Sequence, residues 1–323
     1  MKWSRELRIA RRSMRTAVRA ASAMARAQAK LPASLMPAPW STPHPLATVP
    51  GQFEVADFGS NPGRLSMFVH VPPNPPAPGA PLVVLLHGCG QSAAAFAHDT
   101  GWAALADRIG LPLVLPEQSG ENNHGRCFNW FRPAHVTRGL GEALSIRQMV
   151  ATAVERFGSD PARVYIAGLS AGGAMAAAML AAYPDVCAAG AVVAGLPVGA
   201  ATGVTEALAR MAEAGPHRSR ADWAEQVHHA APVGFVGPWP RLSIWHGDAD
   251  RVVDPANARL LAEQWSAVHG LEGSRSVPGR SGARHELWDG TASPAVELWM
   301  LPDQPHTWPA NAAEEVARFW RLI

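Results

Sequence analysis

The chain has 323 residues, of which 48% are hydrophobic and 17% are charged. This composition excludes a disordered chain, and the length is sufficient for one large α/β domain or two smaller domains. The formal net charge is +2, from 28 lysines and arginines against 26 acidic residues. Because the positive and negative charges nearly balance, the chain as a whole has no strong positive field that would attract nucleic acid. No nucleic acid partner is therefore expected.

The first 30 residues hold a surplus of positive charge. They contain nine basic residues and one acid, whereas the rest of the chain has 19 basic and 25 acidic residues. Their Ala- and Arg-rich composition, free of Gly and Pro, predicts a helix. We expect either a solvated basic helix or an arm that lies on an anionic or apolar surface. A Pro-rich linker follows, so residues 1–50 are interpreted as arm and linker, and residues 51–323 as the folded body.

The compartment is not fixed by the sequence. Arginines interrupt the apolar core that a secretory signal needs, which favours the cytoplasm over export. Three cysteines, Cys89, Cys127 and Cys187, are too few for a disulfide framework. Spacing alone does not decide whether Cys89 and Cys127 are bridged.

From residue 51 onward, apolar strands alternate with helices. Strands are predicted at 53–58, 65–71, 82–86, 113–115, 163–167, 188–194, 242–245 and 296–301, and helices at 101–109, 142–157, 171–183, 257–269 and 312–322. The alternation predicts an α/β fold whose mostly parallel central sheet has helices on both faces. Residues 198–240 interrupt this pattern, and we expect an insertion there, over the sheet edge with the functional site.

The segment Gly168-Leu-Ser170-Ala-Gly172 matches the G-x-S-x-G nucleophile elbow. An apolar strand leads into it and an Ala-rich helix follows it, as this sharp turn requires. Small neighbours let the backbone turn tightly around the serine, and the helix N-terminus favours developing negative charge. The context predicts an α/β-hydrolase fold with Ser170 as the nucleophile.

A serine hydroxyl needs an adjacent base, and in this fold the acid and then the histidine follow the serine in chain order. Asp250, after the 242–245 strand, is the preferred acid, and Asp248 remains the alternative. His306 lies between the last strand and the last helix, where the base is expected. His285 is its rival but lies in a strand-like segment. His246 is interpreted as a structural residue beneath the acid loop.

An oxyanion hole requires two backbone N–H groups. We expect one from Ala171, next to the nucleophile, and the other from Cys89 in the Gly-rich loop 87–91. The amide of Cys89 is the predicted donor. A reactive-thiol role for Cys89 would need a base that the sequence does not show.

Several stretches together resemble type 1 short-chain polyhydroxyalkanoate (PHB) depolymerases and related esterases. They are 86–91 (LHGCGQ), 127–131 (CFNWF), 141–148 (GEALSIRQ), 168–175 (GLSAGGAM) and 246–250 (HGDAD). The resemblance covers residues 53 to about 310. It implies Ser170, Asp250 and His306 as the triad, and Trp130 and Trp308 as residues that line the ester pocket.

These features predict a carboxylic ester hydrolase that forms an acyl-enzyme, with short-chain polyhydroxyalkanoate polymer or oligomers as substrate. A feruloyl or acetyl carbohydrate esterase is the alternative substrate class. A non-catalytic granule- or surface-binding protein that kept the fold is the alternative of another kind. No metal or organic cofactor is implied.

Overall fold

The computed structural model describes residues 51–215, 218–291 and 293–323. The predicted basic arm and linker, residues 1–50, therefore lie outside the described residues. Within the described ranges, no helix combines the length and apolar character needed to cross a bilayer.

In this part of the chain, ten strands form one sheet. The strands are β1 (Gln52–Val55), β2 (Ser66–His70), β3 (Leu82–Leu86), β4 (Leu113–Glu117), β5 (Val164–Leu169), β6 (Ala189–Val193), β7 (Arg241–Gly247), β8 (Arg275–Pro278), β9 (Arg284–Asp289) and β10 (Pro294–Leu301). Their order across the sheet is β1-β2-β4-β3-β5-β6-β7-β10-β9-β8. The central strands from β4 to β10 run parallel, and the outer pairs are antiparallel. The predicted mostly parallel sheet is confirmed.

Helices cover both faces of this sheet. They are α1 (Ala93–Asp99), α2 (Trp102–Ile109), α3 (Pro133–Val136), α4 (Gly141–Phe157), α5 (Ala171–Ala182), α6 (Val204–Ala212), α7 (Arg220–Ala230), α8 (Ala256–Val268) and α9 (Ala312–Phe319). Alternate residues of β3 enter two separate cores: Leu82, Val84 and Leu86 pack with α4, α5 and α8, whereas Val83 and Leu85 pack with α1, α2 and α9. Burial on both faces explains why β3 reads as an uninterrupted apolar run.

Several elements are absent from the sequence-based prediction, among them α3, α6 and α7. Strand β8 lies at the antiparallel edge and is polar and mostly exposed, so it has no apolar run like that of a central strand. The neighbouring β9 is the strand-like segment that contains His285. Helix α1 is a separate short helix before α2, and it begins where the Ser92 hydroxyl accepts a hydrogen bond from the Ala95 amide. The interrupted region 198–240 holds α6 and α7 between β6 and β7.

Candidate active site

Ser170 occupies the sharp turn between β5 and α5. Its backbone has φ 57° and ψ −119°, a conformation that residues other than glycine rarely adopt. A Cβ at Gly168 would overlap the Gly172 carbonyl, and a Cβ at Gly172 would overlap the Leu86 carbonyl. The turn is tight because its flanking positions have no side chains, which holds Ser170 at the carboxyl end of the central strands.

An imidazole and a carboxylate meet at the same end of the sheet. His306 Nδ1 lies 2.6 Å from Asp250 Oδ2, and the carboxylate is buried. Asp250 follows β7 and His306 follows β10, so adjacent parallel strands bring the two loops together. Gly247 permits this approach, because a Cβ there would overlap the backbone of Gln304. The structure thus brings together the preferred acid and the preferred base.

The alternative acid and the rival histidine lie elsewhere. Asp248 is exposed, and its Oδ1 accepts a hydrogen bond of 2.7 Å from the Asp303 amide. His285 lies in β9, where its Nε2 is 2.9 Å from Glu297 Oε2. Neither residue takes part in the pair described above.

The carboxylate of Asp250 is surrounded by hydrogen-bond donors. Oδ1 accepts from the Val252 and Val253 amides at 2.8 and 2.9 Å, and Oδ2 contacts His246 Nε2 at 3.1 Å as well as His306. Burial by itself would raise the pKa of Asp250, but the bonds from His246, His306 and the Val253 amide outweigh burial and hold this pKa well below its usual range. The carboxylate is therefore ionised at neutral pH.

The Nε2 nitrogen of His306 is the one that can accept a proton from Ser170. Its Nδ1 is committed to Asp250, and among the described residues its hydrogen bonds do not include one to Ser170 Oγ. Such contacts are often long in a free enzyme and shorten when substrate binds. Two residues further on, Trp308 packs edge-on against Phe96 of α1 with ring centroids 5.6 Å apart. The histidine loop thus reaches the helix that follows the predicted oxyanion loop.

Among the described residues, the hydrogen bonds of the loop after β3 leave the Cys89 amide without a protein acceptor. The amides of Gly88, Gly90 and Gln91 all donate to protein oxygens. In the part of the chain that the structure describes, the Cys89 amide and the Ala171 amide have no such acceptor. These are the two N–H groups that the sequence predicts for an oxyanion hole.

His87 supports this loop, a role that the sequence analysis missed. The residue is fully buried; its Nδ1 donates to the Gly88 carbonyl at 2.7 Å, and its Nε2 accepts from the Gln118 amide at 3.1 Å. Burial lowers the pKa of His87 to about 4, so the ring is neutral. Because the peptide is trans, holding the Gly88 oxygen directs the Cys89 N–H to the opposite side. A histidine between a buried strand and a glycine was the available signal.

A disulfide joins Cys89 to Cys127, which settles the pairing that spacing left open. The bridge ties the loop after β3 to the segment that contains Asn129. Asn129 in turn donates its amide and Nδ2 to the fully buried carboxylate of Glu142, at 2.8 and 2.6 Å. The second loop is therefore anchored on α4 and restrains the first.

The two tryptophans assigned to the ester pocket are packed against other rings. Trp130 is 8% exposed and meets Phe131 edge-on, with centroids 5.6 Å apart. Trp308 is partly buried against Phe96. These contacts fix where both indoles lie, and their contribution to an ester pocket stays a prediction.

Comparison with known proteins bears on this arrangement. A family model described as Esterase PHB depolymerase matches residues 65–287. The chain belongs to the esterase PHB depolymerase family. It is 42% identical over 260 residues to poly(3-hydroxyalkanoate) depolymerase C of Paucimonas lemoignei, a match that covers 80% of this chain and 62% of that protein. The chain therefore spans about three fifths of the length of this relative.

The chain is also similar to proteins with other names. Feruloyl esterase B of Neurospora crassa is 35% identical over 276 residues, covering 84% of this chain and 92% of that protein. Among solved structures, the acetyl xylan esterase from Aspergillus awamori superposes with a TM-score of 0.76 at 24% identity, over 84% of this chain and 99% of that one. The predicted α/β-hydrolase fold and the predicted family of ester hydrolases are confirmed.

Proposed function

We propose that this chain is a serine esterase that hydrolyses carboxylic esters through an acyl-enzyme. The observation that carries the proposal is the 2.6 Å contact between His306 Nδ1 and Asp250 Oδ2, at the sheet edge where the Ser170 turn lies. Family membership supports the same activity.

In the first step, His306 acts as the general base. Ionised Asp250 accepts the Nδ1–H bond, which leaves Nε2 unprotonated and able to take the proton from Ser170 Oγ. The serine oxygen then attacks the ester carbonyl carbon. Asp250 stabilises the imidazolium that forms, and its low pKa keeps it charged throughout.

The tetrahedral intermediate places negative charge on the former carbonyl oxygen. The amides of Cys89 and Ala171 are proposed to donate to this oxygen, which they can do because no other acceptor occupies them in the described chain. The imidazolium of His306 then protonates the departing alcohol. Water, activated by the same imidazole, attacks the acyl group on Ser170 and releases the carboxylic acid.

The test is hydrolysis of p-nitrophenyl butyrate by the protein and by Ser170→Ala. Loss of the nucleophile should lower kcat by about 10⁴-fold or more. Ser243→Ala is the matched control, because Ser243 donates to Glu297, a carboxylate that also bonds His285, but is buried within β7. Equal hydrolysis by the protein and Ser170→Ala would contradict the proposal and favour a non-catalytic binding protein.

For the natural substrate, we propose short-chain polyhydroxyalkanoate polymer or oligomers, supported by the 42% identity to a depolymerase. Feruloyl or acetyl esters of carbohydrates are the second candidate, because a feruloyl esterase matches over 92% of its own length. Release of hydroxyacid from polyhydroxybutyrate films, compared with hydrolysis of methyl ferulate and acetylated xylan, distinguishes them. The preferred substrate should show the highest kcat/KM, and a higher value on ferulate or xylan would overturn the first choice.

We also propose that residues 1–30 bind an anionic granule or membrane surface. Nine basic residues against one acid support this proposal. Co-sedimentation with phosphatidylglycerol vesicles should exceed that with phosphatidylcholine vesicles, and replacing Arg11, Arg12 and Arg15 by Gln should reduce it. Equal sedimentation with both lipids would contradict the proposal.

For the compartment, we propose an oxidising environment, because the Cys89–Cys127 bridge would be reduced in a typical cytoplasm. This revises the weak preference for the cytoplasm that the interrupted N-terminal apolar core suggested. If the cells are lysed in denaturant with an alkylating reagent, mass spectrometry should find only Cys187 alkylated, whereas alkylation of all three cysteines would support the cytoplasm.

A further inference from the structure

A second imidazole, that of His246, contacts Asp250, the proposed acid of the triad. His246, near the end of β7, is buried, and its Nε2 lies 3.1 Å from both Asp250 Oδ2 and the Val253 carbonyl oxygen. An ionised carboxylate and a carbonyl can only accept hydrogen bonds. Nε2 must therefore carry the proton, and His246 donates to Asp250.

The other nitrogen of His246 is unsatisfied. Nδ1 is buried and has no hydrogen-bond partner among the described residues. Burying an unpaired acceptor is unfavourable, and a leucine or methionine at this position would avoid that cost. Packing alone thus gives a poor account of an imidazole here, and its Nε2–H bond to Asp250 gives a better one.

Both imidazoles use the same carboxylate oxygen. Oδ1 of Asp250 is occupied by the Val252 and Val253 amides, so His246 and His306 share Oδ2. An oxygen that accepts from two donors attracts each of them less strongly than it would attract one. The strength of the bond between Asp250 and His306 therefore depends on His246.

We propose that His246 is a positioning residue of the triad, which holds Asp250 Oδ2 in place and weakens the attraction of that oxygen for the His306 imidazolium. This inference rests on the proposed esterase function. By limiting the stabilisation of the protonated base, His246 keeps His306 unprotonated to lower pH, which extends the pH range in which the base can act.

Replacing His246 leaves the other ionisable groups near Asp250 and His306 unchanged. The remaining ionisable groups on the loops and helices that pack here are Asp248, Arg251 and Asp254 on the acid loop, Asp303 on the histidine loop and Arg210 on α6. Asp248 and Asp254 accept hydrogen bonds from backbone amides, and within the described part of the chain none of the five forms a hydrogen bond with either imidazole or with Asp250.

The experiment is the pH dependence of kcat/KM for p-nitrophenyl butyrate in His246→Met and His246→Gln. Methionine retains apolar bulk but has no donor, whereas glutamine can place an N–H near the position of Nε2. In His246→Met the freed Oδ2 should hold the His306 imidazolium more strongly, so the midpoint of the acid limb should rise by about 0.5–1 pH unit. His246→Gln should stay near the midpoint of the unsubstituted protein.

A lower kcat with an unchanged midpoint in folded His246→Met would assign His246 a structural role and overturn the proposal. If circular dichroism shows that His246→Met does not fold, His246→Asn replaces it, because its shorter amide cannot reach Oδ2, and the same shift is expected. Failure of the esterase proposal is a different result: hydrolysis by the unsubstituted protein would then be insensitive to Ser170→Ala.

Discussion

Two of the histidine–carboxylate contacts in the described part of the chain can be compared, because each belongs to a group that includes a serine. At the carboxyl edge of the sheet, His306 bonds to Asp250 at 2.6 Å, and Ser170 lies on the neighbouring turn. Within the sheet, His285 bonds to Glu297 at 2.9 Å, and Ser243 completes the group. The same three kinds of side chain thus occur twice in one fold.

The two groups differ in the order of their hydrogen bonds. Strand register places Ser243 beside Glu297, and the serine Oγ donates directly to that carboxylate at 2.6 Å. His285 is stacked on Trp299, with ring centroids 3.6 Å apart. The imidazole therefore does not lie between hydroxyl and carboxylate. The register of a strand fixes which side chains lie beside each other. Loops at the strand ends can instead place the base between the serine and the acid, as proton transfer requires.

Replacing the histidine of each group in turn is expected to give the largest difference between the two groups. His306→Gln should lower kcat for p-nitrophenyl butyrate by about 10⁴-fold or more, because no other group takes the serine proton. His285→Gln should keep activity within a few-fold but lower the free energy of unfolding by about 1–3 kcal/mol, since Glu297 loses a buried partner. Steady-state kinetics and urea unfolding of both variants check this, and similar kcat losses would contradict it.

The two aspartates of the acid loop give the next largest contrast. Asp250→Asn should lower kcat by about 10³–10⁴-fold, because the neutral amide does not stabilise the imidazolium and its NH2 group would face either the two imidazoles or the Val252 and Val253 amides, which are all donors. Asp248→Asn should change kcat less than about threefold, since Asp248 bonds only a backbone amide. The same assay measures both, and a larger loss in Asp248→Asn would restore the alternative acid.

The Cys89–Cys127 disulfide can be removed without losing the Cys89 backbone amide, which is one of the two predicted oxyanion-hole donors. Replacing Cys89 and Cys127 together by alanine should lower the free energy of unfolding by about 3–4 kcal/mol, because the bridge closes a loop with a sequence separation of 38 residues. Cys187→Ala, at a buried free thiol, is the control and should cost on the order of 1 kcal/mol. Urea unfolding measures both, and equal losses would mean that the bridge restrains little.

A smaller effect is expected from acid at His87. The unfolded chain binds a proton there near pH 6.5, whereas the folded chain resists it down to about 4. The contribution of the neutral ring to stability is therefore complete above about pH 6.5 and lost as the pH falls to about 4, a difference of about 3 kcal/mol. Urea unfolding at pH 7 and 4.5 should show a smaller acid loss in His87→Gln than in the unsubstituted protein. Equal losses would contradict the assignment.

The sequence predicts the central fold and the order of the site better than its edges. Continuous apolar runs such as 82–86 reveal buried parallel strands, and the order of Ser170, Asp250 and His306 follows from where such strands end. Strand β8 is missed because a mostly exposed polar strand resembles a loop. The sequence places His246 beneath the acid loop, but its bond to Asp250 Oδ2 depends on how that loop folds back after β7, which no local pattern records.

The backbone at Ser170 has a consequence for how this protein responds to selection. Its φ of 57° costs a side-chain-bearing residue roughly 1 kcal/mol relative to glycine. A glycine at this position would thus relax the chain while abolishing the hydroxyl. A screen that rewards heat tolerance alone should accumulate inactive molecules with glycine at 170, and thermal robustness must come from substitutions elsewhere if turnover is to survive.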